Sequence, residues 1–531
     1  MADYVFGANI IENLTTGMYQ DSRVIYREYI QNACDQIDKA IGRSVLSKGE
    51  EEIYIDLSPE SRNITITDNA TGIGKDDFVR ILSNIADSDK RLGEDKGFRG
   101  IGRLCGLAYC SKLIFSSTAA GEDTVSFMTC DADKMRRMIG ENESGTKHTA
   151  VEVLESINEF SEKKTADRSA HWFKVELVGI NEENTALLDF KGIKDYLSFV
   201  APVPYKNTFI FRGEIYRHAK KLGVKIDEYN IRLNGEQVFK EYKTDYRTRS
   251  GEDEIFTVEF KDIYDDAKHL IAWSWIGVSR FRGVIERDCL MRGIRLRKDN
   301  IQIGTEDALQ PLFKEERGIH YFVGEVFGVS KDLIPNAQRD YFNENPMRIE
   351  FERRLKTYFK DSLHKVYHDG SEVNSAFKKI DEAEKKERDF EEKKSSGYFV
   401  DASHAKKAEE DVRKAKAEAQ KAERLIERKK NNDSDDQSAT IVQKIILQAE
   451  KDREAMPEDD VHERKLSDKK KTDTGKSSNK ESILRRTDKP LYSKYSKSER
   501  KLISRIYSVI AGSVDEKTTD MIIGNIEAEL K

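Results

Sequence analysis

Cysteine is scarce in this sequence. Five are scattered over 531 residues, at Cys34, Cys105, Cys110, Cys130 and Cys289, and no two form a C-x-x-C pair. An odd, dispersed set argues against a disulfide scaffold or a cysteine zinc site and for reduced thiols in a cytoplasmic protein. Long apolar runs are absent, so no segment is expected to span a bilayer. The opening MADYVFGANI lacks the basic stretch and apolar core of a signal peptide. Aromatic residues disappear between Asp401 and Leu491, so that stretch is not expected to build an ordinary core. A strong excess of one charge is missing as well, since the formal net charge is −6. That argues against wholesale coating of nucleic acid and leaves room for a local basic patch.

A chain of this length suggests roughly two to four domains. Charged residues, at 35%, nearly match hydrophobic ones at 37%, so part of the length is expected as solvated helix or linker. Residues 1–180 mix helical and strand patterns with glycine punctuation. Residues 181–345 do the same, with strand-like NTFIFRG, IFTVEF and HLIAWSWIGV. Residues 346–430 turn to Lys, Glu, Ala and Arg. There Ala405, Ala408, Val412, Ala415, Ala419, Ala422 and Ile426 alternate spacings of three and four, a heptad seam of small knobs. Val373, Phe377 and Ile380 can supply the facing side, which predicts an antiparallel hairpin turning near Ser396 and Gly397. Residues 431–490 read as a linker. Residues 491–531 recover apolar stripes, first Leu502, Ile503, Ile506, Val509 and Ile510, then Met521, Ile522, Ile526 and Leu530. Two short helices cannot bury both stripes alone. A small helical module is therefore expected, docked on a second copy in a homodimer or on the rest of its own chain.

The stretch SRVIYREYIQNACDQIDKAIG reads as a helix. At about 100° per residue, Tyr26, Ile30, Ala33, Ile37 and Ile41 share one face, and Glu28, Asn32 and Asp35 gather on the other. By itself that polar face is compatible with a solvated surface. Two later stretches give it company. ITITDNATGIGK reads as a strand that breaks into Asp68, Asn69, Gly72 and Gly74. KGFRGIGRLCGL carries Gly97, Gly100 and Gly102 as G-x-x-G-x-G before a helical run. Glycines at a helix start let backbone N–H groups approach phosphate oxygens. The stretch is neither a Walker loop nor a dinucleotide fingerprint.

Taken in order, E-x-x-x-N-x-x-D on a helix, an Asp with glycines after a strand, and G-x-x-G-x-G resemble the ATP-binding domain of the GHKL superfamily. This is the Bergerat fold of gyrase, heat-shock chaperones, histidine kinases and MutL. The resemblance implies that Asn32 ligates Mg²⁺ through its amide oxygen, with Asp35 beside it at the nucleotide. It implies that Asp68, or Asn69 if the register slips by one, meets the adenine amino group, and that Gly72 and Gly74 leave room for the nucleotide. Gly97, Arg99, Gly100 and Gly102 would surround the phosphates, with Arg103 close by, under a lid between Lys75 and Lys96. Glu28 would orient and deprotonate the attacking water. The family's threonine near adenine would be Thr146 in SGTKHTAVEV, unless HWFKVEL is the relevant strand. The family's second motif is D-x-G-x-G, and here Ala70 stands in place of its first glycine.

The region from 181 to 345 resembles the middle domain of the HtpG-type chaperone. YLSFVAPVPY is similar to the beginning of that domain, and DLIPNAQRDYF to its D-L-P-L-N-I-S-R-E stretch, with Asp332, Leu333, Asn336 and Arg339 in register. The resemblance implies that Arg339 reaches the γ-phosphate, a task suited to an always-charged, bidentate guanidinium, while Asn336 holds the loop. SRFRGVIERDCLMRGIRLRKDN gathers Arg280, Arg282, Arg287, Arg292, Arg295, Arg297 and Lys298. These are either a nucleic-acid surface or arginines paired with acids elsewhere. The expected whole is α+β: a Bergerat-fold ATP-binding sandwich, a middle α/β transducer-like domain, a helical hairpin, and a helical C-terminal module. The implied function is a Mg²⁺-dependent, ATP-hydrolysing clamp acting on a protein client. A MORC- or MutL-like nucleic-acid clamp, and a nucleotide-gated scaffold in a bacterial multi-component system such as defence, are the alternatives.

Overall fold

The computed structural model describes residues 5–15, 17, 21–85, 102–143, 147–399, 401–432, 437–454, 521–523 and 526. They fall into two units, Met1–Gln448 and Ala449–Lys531. In the first, α1 (Asn9–Thr15) and α2 (Val24–Gly42) precede a hairpin of β1 (Glu52–Ser58) and β2 (Asn63–Asp68). Burial alternates along β2, with Ile64, Ile66 and Asp68 buried and Thr65 and Thr67 turned the other way. That is the period of a strand covered on one face. Then come α3 (Lys75–Ser83), a 3-10 turn over Gly102–Ala108, β3 (Cys110–Thr118) and β4 (Thr124–Asp131). Next are α4 (Ala132–Glu143), α5 (Ala150–Ile157), β5 (Asn158–Lys164) and β6 (Trp172–Ile180). The strands order as β5-β4-β3-β6-β2-β1, all antiparallel.

The sheet does not stop at residue 180. After α6 (Phe190–Val200) and α7 (Arg212–Lys221), β7 (Asn230–Leu233) pairs parallel with β1, and β8 (Glu236–Gln237) closes that edge. Ile231, Leu233 and Val238 enter the same core as Ile53 and Ile55. A four-residue strand carries too little periodicity to announce itself from sequence. NTFIFRG, expected as a strand, is instead a turn leading into α7. Its alternation comes from Phe209 and Phe211 packing on each other and Phe209 on Trp275, not from a sheet.

The middle sheet comes after a small hairpin, β9 (Asp245–Thr248) and β10 (Gly251–Glu254). It comprises β11 (Thr257–Tyr264), β12 (Leu270–Val278), β13 (Gly293–Lys298), β14 (Ile301–Ile303) and β15 (Val323–Gly328), in the order β11-β12-β15-β13-β14. A charge network lies inside it. Lys240, Arg297 and Glu325 are all fully buried. Glu325 accepts from Arg297 Nε, from Lys240 Nζ at 3.2 Å, from the Tyr205 hydroxyl and from Trp275 Nε1 at 3.1 Å. Burial alone would raise the Glu325 carboxyl, and Arg297 and Lys240 more than offset it and hold it low.

This network bears on the basic segment, and for part of it the paired alternative holds. Arg295 and Arg297 belong to β13 and are buried, as is Arg280. Arg297 donates to the carbonyls of Asn300 and Phe199 at 2.9 and 2.8 Å. Arg295 lies over the Phe199 ring. Arg282 and Arg287 stay exposed, so burial takes in Arg280 and the β13 end of the segment, not all seven cations.

The chain then turns helical. α8 (Pro346–Thr357) runs through a π-helical turn at Tyr358–Leu363 into α9 (His364–Ser395), and α10 (Ala402–Lys430) returns beside it. Gly397 sits at the turn with φ 65°, where a side chain would be strained. Val373, Phe377 and Ile380 on α9 and Ala419, Ala422 and Ile426 on α10 are buried. Lys416 pairs with Glu387 and Lys429 with Asp369, an antiparallel register. The stretch expected as a linker begins with another helix, α11 (Gln437–Glu454). It has no aromatic of its own, yet its Ile441, Val442, Ile445 and Ile446 are buried, and Gln437 donates to the Phe260 carbonyl of β11 at 3.0 Å. In the second unit, residues 521–523 and 526 are helical, and the first of the two expected C-terminal stripes lies outside the described residues.

Candidate nucleotide site

A solvated polar face on α2 would be exposed, and this one is not. Every residue from Val24 to Ile30 is buried, Glu28 at 9% exposure and Asp35 at 4%, with Asn32 half-buried between them. α2 packs across β2, which ends on Asp68. The 3-10 turn closes on α2 from another side. The Tyr29 hydroxyl donates to the Arg103 carbonyl at 2.9 Å and accepts the Gly106 N–H at 3.1 Å. A Cβ at Gly102 would stand 2.5 Å from Glu28 Oε2, so glycine lets this backbone lie against the carboxylate without displacing it.

Asp68 is 4% exposed and accepts the Ala70 N–H at 3.0 Å. Burial pushes its carboxyl up to about 7, opposed only by that hydrogen bond. Asn69 is turned to other work. It accepts the Glu52 N–H at 2.9 Å and donates to the Glu50 carbonyl at 2.8 Å, bracing the end of β2 to the start of β1. Gly72 does not open onto empty space. It has φ 64°, and a Cβ there would collide with the Thr118 carbonyl oxygen. Gly74 lies at the start of α3, where Glu122 accepts the Lys75 N–H at 3.0 Å. Gly72 is thus required first by packing of the chain on itself, whereas a Cβ at Gly74 would meet only the end of the Glu122 side chain. A cavity of ≈ 380 Å³ at this strand end is lined by Tyr54 and Thr67 among others. Asp68 and Asn69 border it too, although the Tyr54 and Thr67 side chains leave the opposite face of the sheet from that of Asp68.

Gly97, Arg99, Gly100 and Thr146 lie outside the described residues. The alternative strand for the threonine, HWFKVEL, becomes β6, whose Phe173 is directly opposite Asp68. Arg103 has partners in the chain itself. It donates to the carbonyls of Ile81 and Asn84, capping the end of α3.

Arg339 comes from the distant loop after β15. It is 8% exposed, and its Nε lies 4.0 Å from Glu28 Oε1. The loop holds it in a left-handed conformation, φ 55°, uncommon for a side-chain-bearing residue. Asn336 donates to Asp340 across the loop, and Gly304 N–H donates to the Arg339 carbonyl at 2.8 Å. Burial pulls Arg339 below its ordinary value, against the pull of Glu28. The residue that sequence reasoning missed is Arg27. Its guanidinium donates to the Gln338 carbonyl at 3.0 Å and approaches Glu28 Oε1 at 3.5 Å, so it fastens the Arg339 loop to α2. The only signal was its place beside Glu28 in YREYIQN.

The sequence profile of the histidine kinase-, DNA gyrase B- and HSP90-like ATPases matches residues 24–165, from the start of α2 to just past β5. This span is a GHKL-type ATPase domain. The chaperone protein HtpG of Hydrogenovibrio crunogenus is 24% identical over 132 residues, 22% of this chain and 21% of its own length. Heat shock protein 90-5, chloroplastic, of Arabidopsis thaliana is 27% identical over 154 residues, 25% of this chain and 20% of its own. HtpG of Halorhodospira halophila is 35% identical over 80 residues, covering 14% and 13%. The chain thus spans about a fifth or less of the length of these relatives.

The groups in the GHKL-type domain fit a nucleotide. Arg27 Nε is buried without an acceptor, and with Arg339 it supplies cationic donors suited to a phosphate. Asp68 is a buried carboxyl with no cation among the causes of its shift, suited to a neutral N–H donor such as an amino group. Asn32 and Asp35 bring the hard oxygens that Mg²⁺ takes beside phosphates. No helix among the described residues is long and apolar enough to cross a membrane.

Proposed function

We propose that the chain is an ATP-hydrolysing conformational clamp of the HtpG-like kind, acting on a protein client. The observation that carries this reading is the approach of Arg339 to Glu28, two buried side chains far apart in the sequence and 4.0 Å apart in the fold. Asp68 accepts the adenine amino hydrogen. Gly102 and the loop before it line the phosphates, with Asp35 alongside. Asn32 would hold Mg²⁺, which when bound screens phosphate charge. Glu28 takes a proton from the attacking water as that water's oxygen bonds the γ-phosphorus and the bond to ADP breaks. When substrate enters, Arg339 exchanges Glu28 for the γ-phosphate, which leaves the carboxylate available to the water. Arg27 keeps the loop in place through the Gln338 carbonyl. The protein client and a homodimer complete the reading, and the chaperone names of the relatives support the client.

Glu28→Ala is expected to bind ATP and lose turnover, and Arg339→Ala to slow turnover with little change in affinity. Wild-type turnover in Glu28→Ala removes the proposed base. Loss of binding in Asn69→Ala but not in Asp68→Asn shifts the second motif by one residue. ATP-loaded Glu28→Ala is the bait for the client, and light scattering with and without residues 489–531 tests the homodimer.

A further inference from the structure

Among the described residues, one cluster of metal-ligating side chains lies outside the nucleotide site. His364 and His368 open α9 one turn apart, so both imidazoles leave the same face of the helix. Their ring centroids are 4.4 Å apart. Glu315, between β14 and β15, meets them, with Oε1 3.8 Å from His368 Nε2. One donor atom from each of the three lies within 4.8 Å of the other two. We propose that Glu315, His364 and His368 bind a divalent transition-metal ion of the zinc class, which ties the root of the helical hairpin to the middle sheet.

The surroundings orient these donors. Arg317 Nε donates to Glu315 Oε2 at 2.8 Å, and the Tyr367 hydroxyl approaches the same oxygen at 3.5 Å. Oε1 is left as the oxygen turned to His368. The Tyr367 hydroxyl also lies 3.1 Å from His364 Nδ1. A hydrogen bond there fixes the ring and leaves Nε2 for an ion, the outer-shell arrangement that metal-binding histidines use. Tyr367 is itself held by stacking on Tyr321 at 4.8 Å. Tetrahedral zinc, with bonds of about 2.0–2.1 Å, keeps its donors about 3.3 Å apart, so the 3.8 Å gap between Glu315 and His368, and separations of up to 4.8 Å within the trio, must close by side-chain rotation when the ion binds. Two imidazoles and one carboxylate select zinc over Mg²⁺ or Ca²⁺, which take oxygen, and they leave a fourth position for water. His368 is exposed, which gives the ion a way in. Lys314 and Arg317 bring positive charge nearby, so binding is expected at micromolar rather than tighter levels.

The test is calorimetric titration of tag-free, chelator-treated full chain with zinc chloride. One equivalent is expected to bind, with Mg²⁺ in excess not competing, and the thermal midpoint is expected to rise. His368→Ala and Glu315→Gln should each weaken zinc by at least about tenfold. Cobalt substituted for zinc should give the visible bands of a tetrahedral site, lost in the double variant His364→Ala/His368→Ala. His364→Gln/His368→Gln, closer in size and polarity, repeats the measurement if the alanine pair fails to fold. ATP turnover of the folded variants, with Mg²⁺ present and zinc absent, should match wild type. No binding at about 100 µM zinc, or unchanged affinity and stoichiometry in the double variant, overturns the proposal.

Discussion

Glu325→Ala is the most demanding test of how the middle sheet is held together. The substitution removes one carboxylate and strands two cations, Lys240 and Arg297, both at 0% exposure. It also removes the acceptor of the Tyr205 hydroxyl and one acceptor of Trp275 Nε1. Arg297 keeps its bonds to the carbonyls of Asn300 and Phe199, and Lys240 keeps Asn300 Oδ1 at 2.7 Å. The loss is therefore that of a broken buried ion pair, about 3–5 kcal/mol. Burial, with Arg297 beside it, already pushes Lys240 down, so shedding its proton moves the cost toward the lower end. With a urea slope of about 2 kcal/mol per molar, the midpoint should fall by roughly 1.5–2.5 M. Tryptophan fluorescence is the local probe, because two of the three tryptophans, Trp273 and Trp275, lie in β12 of this sheet. A local probe is needed, since a chain of several domains need not unfold in one step. Replacing the whole network as Lys240→Met/Arg297→Met/Glu325→Leu should recover most of the loss, because nothing charged is then left buried. A shift below about 0.5 M for Glu325→Ala would refute the reasoning, since it would mean the stranded cations find water or other partners.

Two further predictions concern the ATP-binding domain. Gly72→Ala should cost about 2–5 kcal/mol, from the left-handed φ together with the collision at Thr118. Gly74→Ala, whose Cβ meets only the mobile end of Glu122 at 2.9 Å, should cost much less, and thermal midpoints that fall equally would contradict this. Asp68 sets a pH dependence. Its folded pKa, about 7, is raised above the ordinary 3.8, so its stabilising contribution is full below about pH 4 and is lost as pH rises through 7. Ionisation costs on the order of 4 kcal/mol in the nucleotide-free protein. Between about pH 5 and 8, wild type should lose stability relative to Asp68→Asn, and parallel profiles would exclude the shift.

Local order was legible where the signal is local. The three motifs of the first domain could be read because each is a run of a few residues whose types follow from one task. The hairpin of α9 and α10 could be read because its seam repeats. IFTVEF and HLIAWSWIGV could be read because apolar strands of that length have few alternatives. What sequence could not rank was the polar face of α2. A solvated stripe and a ligand-facing stripe have the same spacing, and only the burial of Glu28 and Asp35 separates them. The basic segment stayed open between two readings for a related reason. Seven cations in one stretch look alike, and only the structure shows that Arg295 and Arg297 sit in a strand paired on both sides, with Glu325 and backbone carbonyls around Arg297, while Arg282 and Arg287 stay exposed.

The sequence by itself determined the order of the motifs, the residue types at Glu28, Asn32 and Asp68, and the glycines that a left-handed turn or close backbone approach requires. Tertiary structure alone decided which of these meet. It joined β7 to β1 and closed Gly102 on Glu28. It turned Asn69 and Arg103 to structural hydrogen bonds, and it brought Arg339 and Gln338 to α2. The physical reason is range. Helix periodicity, turn chemistry and glycine conformation act over a few residues and are written locally. A contact between Glu28 and Arg339 depends on how two sheets and their connections pack, which no run of residues encodes.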